Sequence, residues 1–125
     1  GLASLKKKIV PHIAKRGWFK GLDGRKVVVP SEHKTLAGML QNGESVIMKH
    51  SALQWVRQAK AEGIDFKLVT WPHDEWQTEV CGTMATAEAL GKLQRQSIVD
   101  TGVKFDMMCP LAGSTDIGRN WKDTH

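Results

Sequence analysis

Apolar and polar positions change their period several times along the chain, and each change marks an element. Residues 3–15 carry a short helical pattern, with a break expected at Pro11 because an interior proline lacks an N–H and crowds the preceding turn. "GWFKGLDGRKVVVP" then places aromatic and β-branched residues around Asp23-Gly24, a dipeptide suited to a tight turn, so a β-hairpin closed by Pro30 is expected. Residues 31–63 form the longest element, a helix that opens at Ser31, ends at Gly63 and presents Leu36, Leu40, Ile47 and Leu53 near helical spacing. Gly38 and Gly43 interrupt it. Glycine inside a helix costs about 1 kcal/mol against alanine, so both are expected where another backbone or a ligand comes close.

From Phe66 to Val80, "FKLVTWPHDEWQTEV" reads as two strands around a turn at Pro72 to Asp74, since proline cannot donate to a sheet ladder and so marks the bend. "TMATAEALGKLQRQSIVDTG" is a second helix, expected to stop at Gly102, and "VKFDMMCPL" a closing strand ahead of a loose tail. The order hairpin, helix, hairpin, helix, strand implies an α+β fold: a mainly antiparallel sheet with helices packed on one side. Three parts follow: a basic arm and hairpin over 1–30, the long helix over 31–63, and a second hairpin, helix, closing strand and tail over 64–125.

At 125 residues this is one small domain or a piece of one, and because it opens on Gly1 rather than Met a piece of a longer protein is expected. No apolar run approaches the ~18 residues of a membrane span, which makes the cytoplasm the default location and leaves the membrane out as a partner. Cys81 and Cys109 have no second Cys or His at zinc-ligand spacing and read as reduced packing residues. The charge is uneven: Lys6, Lys7, Lys8, Lys15, Arg16, Lys20, Arg25 and Lys26 face only Asp23 before residue 27, within a net charge of +5. Such an end suits a polyanion, nucleic acid ahead of membrane, or is a solvated lysine-rich terminus.

Asp74 and Glu75 stand out because strands disfavour acids. Acids in hairpin turns are commonly just solvated. Alternatively, a turn on a rigid platform can present carboxylates to a hard cation such as Mg²⁺, which needs only one or two of them beside waters and substrate phosphates. Trp71, Trp76 and Trp121 are expected to pack in the core or on a sheet face, and Met107 and Met108 to fill the core.

In chain order, "RGWFKGLDGRKV", "HKTLAGMLQNGESVIMK", "HDE", "FDMMC" and "GRNWKDTH" resemble successive blocks of the family A (DNA polymerase I type) DNA polymerases, most of all the phage replicative branch. The resemblance spans essentially the whole sequence and implies the C-terminal part of such an enzyme, comprising much of the palm. It implies that Asp74 is the metal-binding carboxylate of a two-Mg²⁺ site, with Glu75 its less essential neighbour. It places His73 near the primer terminus, Gln41 against the minor groove of the primer-template, and His33 where the family has Arg or His. Lys49, Arg25 and Lys26 become phosphate contacts.

The second metal-binding aspartate of the family belongs to an upstream motif with no counterpart here, and the fingers that hold the incoming deoxynucleoside triphosphate are also missing. Ala37 stands where many relatives have Asn, and Pro72 where an apolar residue is more usual. The resemblance therefore implies a fragment or split subunit of a template-directed polymerase, inactive alone, which associates with an upstream polymerase fragment or with itself through an unpaired strand edge. Two other readings stay open. One is a stand-alone, non-catalytic nucleic-acid-binding module. The other is a small metal-dependent nuclease using Asp74 and Glu75, with His73 as its sole candidate base.

Overall fold

The computed structural model describes residues 2–124; Gly1 and His125, the terminal histidine of the polymerase-like ending, lie outside the described residues. The chain forms two compact units, residues 1–46 and 47–125. The α+β class holds, with the antiparallel pairing confined to two separate two-stranded sheets rather than joined in one.

In the first unit, α1 (Leu2–Ser4), a π-helical stretch (Leu5–Ile9) and α2 (Val10–Arg16) are continuous, so the break expected at Pro11 does not occur. Pro11 occupies the first turn of α2, and in the π-helical stretch before it the Val10 N–H reaches back to the Leu5 carbonyl. That wider turn opens the ladder where a proline ring would crowd it. Gly17, at φ 77, ends α2 and turns the chain into β1 (Trp18–Lys20), which pairs with β2 (Lys26–Val28). The expected hairpin is thus present, in the register Trp18↔Val28, Phe19↔Val27, Lys20↔Lys26.

Because strand side chains alternate between faces, this register puts Phe19 and Val27 on one side and Trp18, Lys20, Lys26 and Val28 on the other. Phe19 is buried against Ile13 and Val29, with Val27 and Met39 packed beside them. The turn closes through Gly21 N–H to the Arg25 carbonyl (2.7 Å) and Gly24 N–H to the Gly21 carbonyl (2.9 Å). Gly24 takes φ 85, which glycine adopts without steric cost.

Helix α3 (Glu32–Ala61) starts where expected. The Ser31 hydroxyl is buried without a partner among the described residues; it is the Ser31 carbonyl that accepts, from Lys34 N–H and the Thr35 hydroxyl. The apolar face inferred from sequence is only partly correct: Leu36 and Ile47 are half-buried, but Leu40 and Leu53 are 65% and 57% exposed. Leu53 follows Ile47 by six positions, which swings it about two-thirds of a turn away. The side chains that α3 buries in the second unit, Met48, Ser51, Ala52, Trp55 and Ala59, keep a true helical period.

In that unit Ala52, Trp55, Ala59 and Leu90 form the core, joined by Phe66, Trp76 and Val80 of the second hairpin. Its strands are β3 (Phe66–Thr70) and β4 (Gln77–Val80). Helix α4 (Met84–Lys104) begins with a capping box in which the Thr83 hydroxyl accepts from Thr86 N–H and the Thr86 hydroxyl accepts from Thr83 N–H. It meets α3 through small and polar groups, with the Ser51 hydroxyl 2.9 Å from that of Thr101, and Gln54 donating to Asp100.

Two expectations fail around the end of α4. Gly102 does not stop the helix; it is buried inside it, and a Cβ there would stand 2.9 Å from Leu111. Val103 and Lys104 complete the last turn, and Asp106 at φ 51 terminates it, with Asp106 N–H bonded to the Val103 carbonyl and Met107 N–H to the Gly102 carbonyl. The closing strand is consequently absent. Residues beyond the helix run back along α4, held where Leu111 meets Gly102 and Thr115 meets Gly91.

Met107 and Met108 are 38% and 100% exposed and fill no core; Trp121, in a 3-10 turn (Trp121–Thr124), is 56% exposed. Cys81 and Cys109 are free, as expected, but both are exposed rather than packed. No helix among the described residues is long and apolar enough to cross a membrane.

Candidate nucleic-acid and metal site

The loop between β3 and β4, residues 71–76, is the sequence "WPHDEW". Its bend is a turn in which Glu75 N–H donates to the Pro72 carbonyl at 3.0 Å. His73 sits inside that turn at φ 49, a left-handed conformation uncommon for a residue with a Cβ, and the Trp71 indole N–H donates to its carbonyl at 3.2 Å. The two tryptophans that frame the acids are anchors. Trp71 meets Trp76 edge-on with centroids 6.0 Å apart, and Trp76 lies 5.7 Å from the fully buried Trp55.

Asp74 is therefore carried on a bend tied to the core through three indoles. Its carboxylate is exposed and has no hydrogen-bond or ionic partner among the described residues; Glu75 is half-buried beside it. Oxygen donors on a fixed bend suit Mg²⁺, which accepts one or two protein carboxylates and fills the rest of its shell with water and phosphate. Among the described residues no group of three or more His, Cys, Asp or Glu side chains could hold an ion, so this pair is at most part of a metal site. His73 is exposed on the same loop, while Lys49 is exposed on α3.

The remaining sequence-derived residues belong to the first unit. His33 and Gln41 are exposed on α3. Gly38 and Gly43 flank Gln41, and a Cβ at either would meet nothing within 4 Å, so neither admits a close neighbour from this chain. The close approach expected at these glycines is absent within the described residues.

On the first hairpin, Arg25 is 67% exposed but its guanidinium is bound to Asp23. Partial desolvation works to raise the Asp23 carboxyl's pKa, yet the hydrogen bonds from the Arg25 backbone and side chain, with the charge of that side chain, hold it below the ordinary value of 3.8. Lys26 behaves differently: its ammonium lies 5.0 Å from the Trp18 ring centroid. The Arg16 guanidinium lies 4.2 Å from the same ring and donates through Nε to the Trp18 carbonyl at 2.9 Å. Sequence reasoning counted Arg16 only as one charge of the basic end and did not single out Trp18. The signal was available, since the Asp23-Gly24 turn fixes the register that sets Trp18 on the same face as Lys20 and Lys26.

An open cleft of about 510 Å³ in the second unit is lined by His50, Gln54, Arg57, Thr101 and Lys104 among others, and contains none of the site residues inferred from sequence.

No family model matches this sequence. Over 117 residues, 89% of the chain, it is 32% identical to a DNA-directed DNA polymerase of Enterobacteria phage T3. The chain is related to phage DNA polymerases. The same identity and coverage hold for the enzyme of Escherichia phage T7, and the enzyme of Escherichia phage Phieco32 is 30% identical over 125 residues. This polymerase-related chain spans only a small part of those relatives, 16% of the first two and 19% of the third.

Proposed function

We propose that this chain is the C-terminal palm segment of a family A, phage-type DNA polymerase, and that it supplies one carboxylate of the metal site together with contacts to a DNA primer-template. The observation that carries the reading is Asp74, exposed and unpartnered among the described residues, on a turn pinned by Trp71 and anchored through Trp76 to Trp55.

Asp74, with Glu75 beside it, would hold Mg²⁺; bound Mg²⁺ supplies charge stabilisation for nucleotidyl transfer from a deoxynucleoside triphosphate. The chain's own part is positional. The indole ladder fixes Asp74, so its charge is in place without reorganisation. Lys26, Lys49, His33 and Gln41 are exposed donors that would meet phosphates and base edges of the primer-template, with His73 toward the primer terminus. Arg25 is left out of these contacts, because Asp23 already engages its guanidinium.

The segment would be incomplete as an enzyme, since a two-metal site of the family's kind also needs the aspartate of the upstream motif. Strand β3 offers a place for that partner: its sheet has two strands only, and Leu68 and Val69 on β3 are 40% and 65% exposed. An unpaired, apolar strand edge accepts another strand, here from an upstream polymerase fragment in the host cytoplasm. The alternative, a non-catalytic nucleic-acid-binding module, predicts no gain of activity with any partner.

The test is primer extension by this chain mixed with a fragment carrying the upstream aspartate motif and the fingers. Extension that appears only in the mixture supports the reading. Its absence from a mixture in which both pieces fold and associate overturns it. Light scattering across a concentration series tests the edge: self-association reversed by the upstream fragment is expected, and a strictly monomeric chain at high concentration contradicts it.

A further inference from the structure

We infer that the outer face of the β1–β2 hairpin is a nucleic-acid phosphate site organised by Trp18, in which the indole positions Arg16 and Lys26, Lys20 extends the row, and Arg25 stands outside it. This rests on the DNA-binding reading above and assigns it to particular side chains.

The hairpin register places Trp18, Lys20, Lys26 and Val28 on the face opposite buried Phe19. Arg16, from the last turn of α2, comes over the indole at 4.2 Å and is fixed a second time by its bond to the Trp18 carbonyl; Lys26 approaches the same ring at 5.0 Å. Attraction between a cation and an aromatic face holds long side chains that would otherwise sample many rotamers. Ordering them in the free protein lowers the cost of binding.

The result is two cations held against one aromatic ring, with Lys20 on the same face of the hairpin. The sole acid before residue 27, Asp23, is bound through both carboxylate oxygens by Arg25. Like charges held together in the free protein gain most from a ligand that brings several negative charges at a regular spacing, as a nucleic-acid backbone does. Trp18 is half-buried with two cations against its ring, so its part is to position them rather than to stack on a base.

The experiment is fluorescence anisotropy of the full chain with a fluorescein-labelled DNA duplex, titrated between about 50 and 200 mM NaCl. Arg16→Ala, Lys20→Ala and Lys26→Ala should each lower the slope of log affinity against log salt by about 0.9, the value for one lost phosphate contact. The charge-neutral double variant Asp23→Asn/Arg25→Gln should leave the slope unchanged. Trp18→Leu keeps every charge and should weaken binding roughly two- to fivefold, with Trp18→Phe restoring it because an aromatic face returns; thermal unfolding of each variant separates this from loss of fold.

Three outcomes overturn the inference: a double variant that loses slope as Lys26→Ala does, single alanines that leave the slope unchanged, or a wild-type chain that binds vesicles of phosphatidylcholine and phosphatidylserine but not the duplex. None of these touches the primer-extension test, which depends on Asp74 in the other hairpin.

Discussion

The β1–β2 and β3–β4 hairpins each reverse the chain within a two-stranded antiparallel ladder, yet they use the acid at the bend in opposite ways. Asp23 lies in the sequence Asp-Gly-Arg, where glycine lets the chain fold back so that the cation two positions on reaches its carboxylate; its side chain is 18% exposed. Asp74 lies in Asp-Glu-Trp, and the residue two positions on is Trp76, committed to packing on Trp55. One acid is absorbed into its turn and the other is left facing solvent. The lesson concerns turn acids in general: the neighbour two residues along decides whether the carboxylate is structural or available for chemistry. The residue at positive φ differs in the same sense, Gly24 in the first bend and His73 in the second.

The largest difference between the two bends should appear in the reconstituted polymerase. Asp74→Asn is expected to lower primer extension at least about 100-fold, the usual cost of removing a preorganised charge-stabilising group, whereas Asp23→Asn should leave it at the wild-type level. Equal effects would erase the distinction drawn here. Next in size is the support beneath the second bend. Trp55→Ala removes the buried indole on which Trp76 rests and should destabilise the protein by about 3–5 kcal/mol in urea unfolding.

Smaller still are the backbone effects. Gly24→Ala meets no steric obstacle, the nearest atom being Lys20 Cε at 3.6 Å, so its cost is the left-handed backbone alone, roughly 1–2 kcal/mol. His73→Gly should go the other way, stabilising by about 0.5–1 kcal/mol once the entropy of glycine is subtracted. A His73→Gly variant that is more stable yet extends primers more slowly would show that His73 serves the site at a cost in stability.

The smallest effect is that of pH on Asp23. Its carboxyl titrates lower in the folded chain than the ordinary 3.8, so its contribution to stability is complete above that value and is lost as pH falls through the lowered one. Thermal unfolding of wild type and Asp23→Asn should converge as the solution is acidified below pH 3.8, and a gap that widens instead would reverse the assignment.

What the sequence revealed depended on whether the decisive contact was local. Both hairpins, the extent of α3 and the start of α4 follow from turn residues, caps and periodicity within a few positions of one another, and all are present. Gly102 misled because a glycine that ends a helix and one that admits a packing neighbour look alike until Leu111, nine residues on, is seen against it. The closing strand failed for the same reason: "VKFDMMC" has strand-like residues, but its first part completes a helix and the rest has no strand to pair with. Between β3 and β4 the turn at Pro72 to Glu75 was legible, as was the packing of Trp76. The register could be read to set Trp18, Lys20 and Lys26 on one face, but not that Arg25 is bound by Asp23 or that Arg16 comes over the same ring, since those contacts are set by side-chain geometry.

The exposed thiols have a consequence for how this chain behaves in air. Cys81 lies just before α4 and Cys109 just after it, and 21 helical residues span roughly 32 Å. A disulfide needs its two Cα atoms within about 7 Å, so the helix works as a strut that forbids ring closure within one molecule. Oxidation is thereby directed outward, and with a reactive group at either end of the strut each molecule can join two others. Left without reductant, the protein should form reducible, intermolecularly linked pairs and longer species, and no internally bridged monomer.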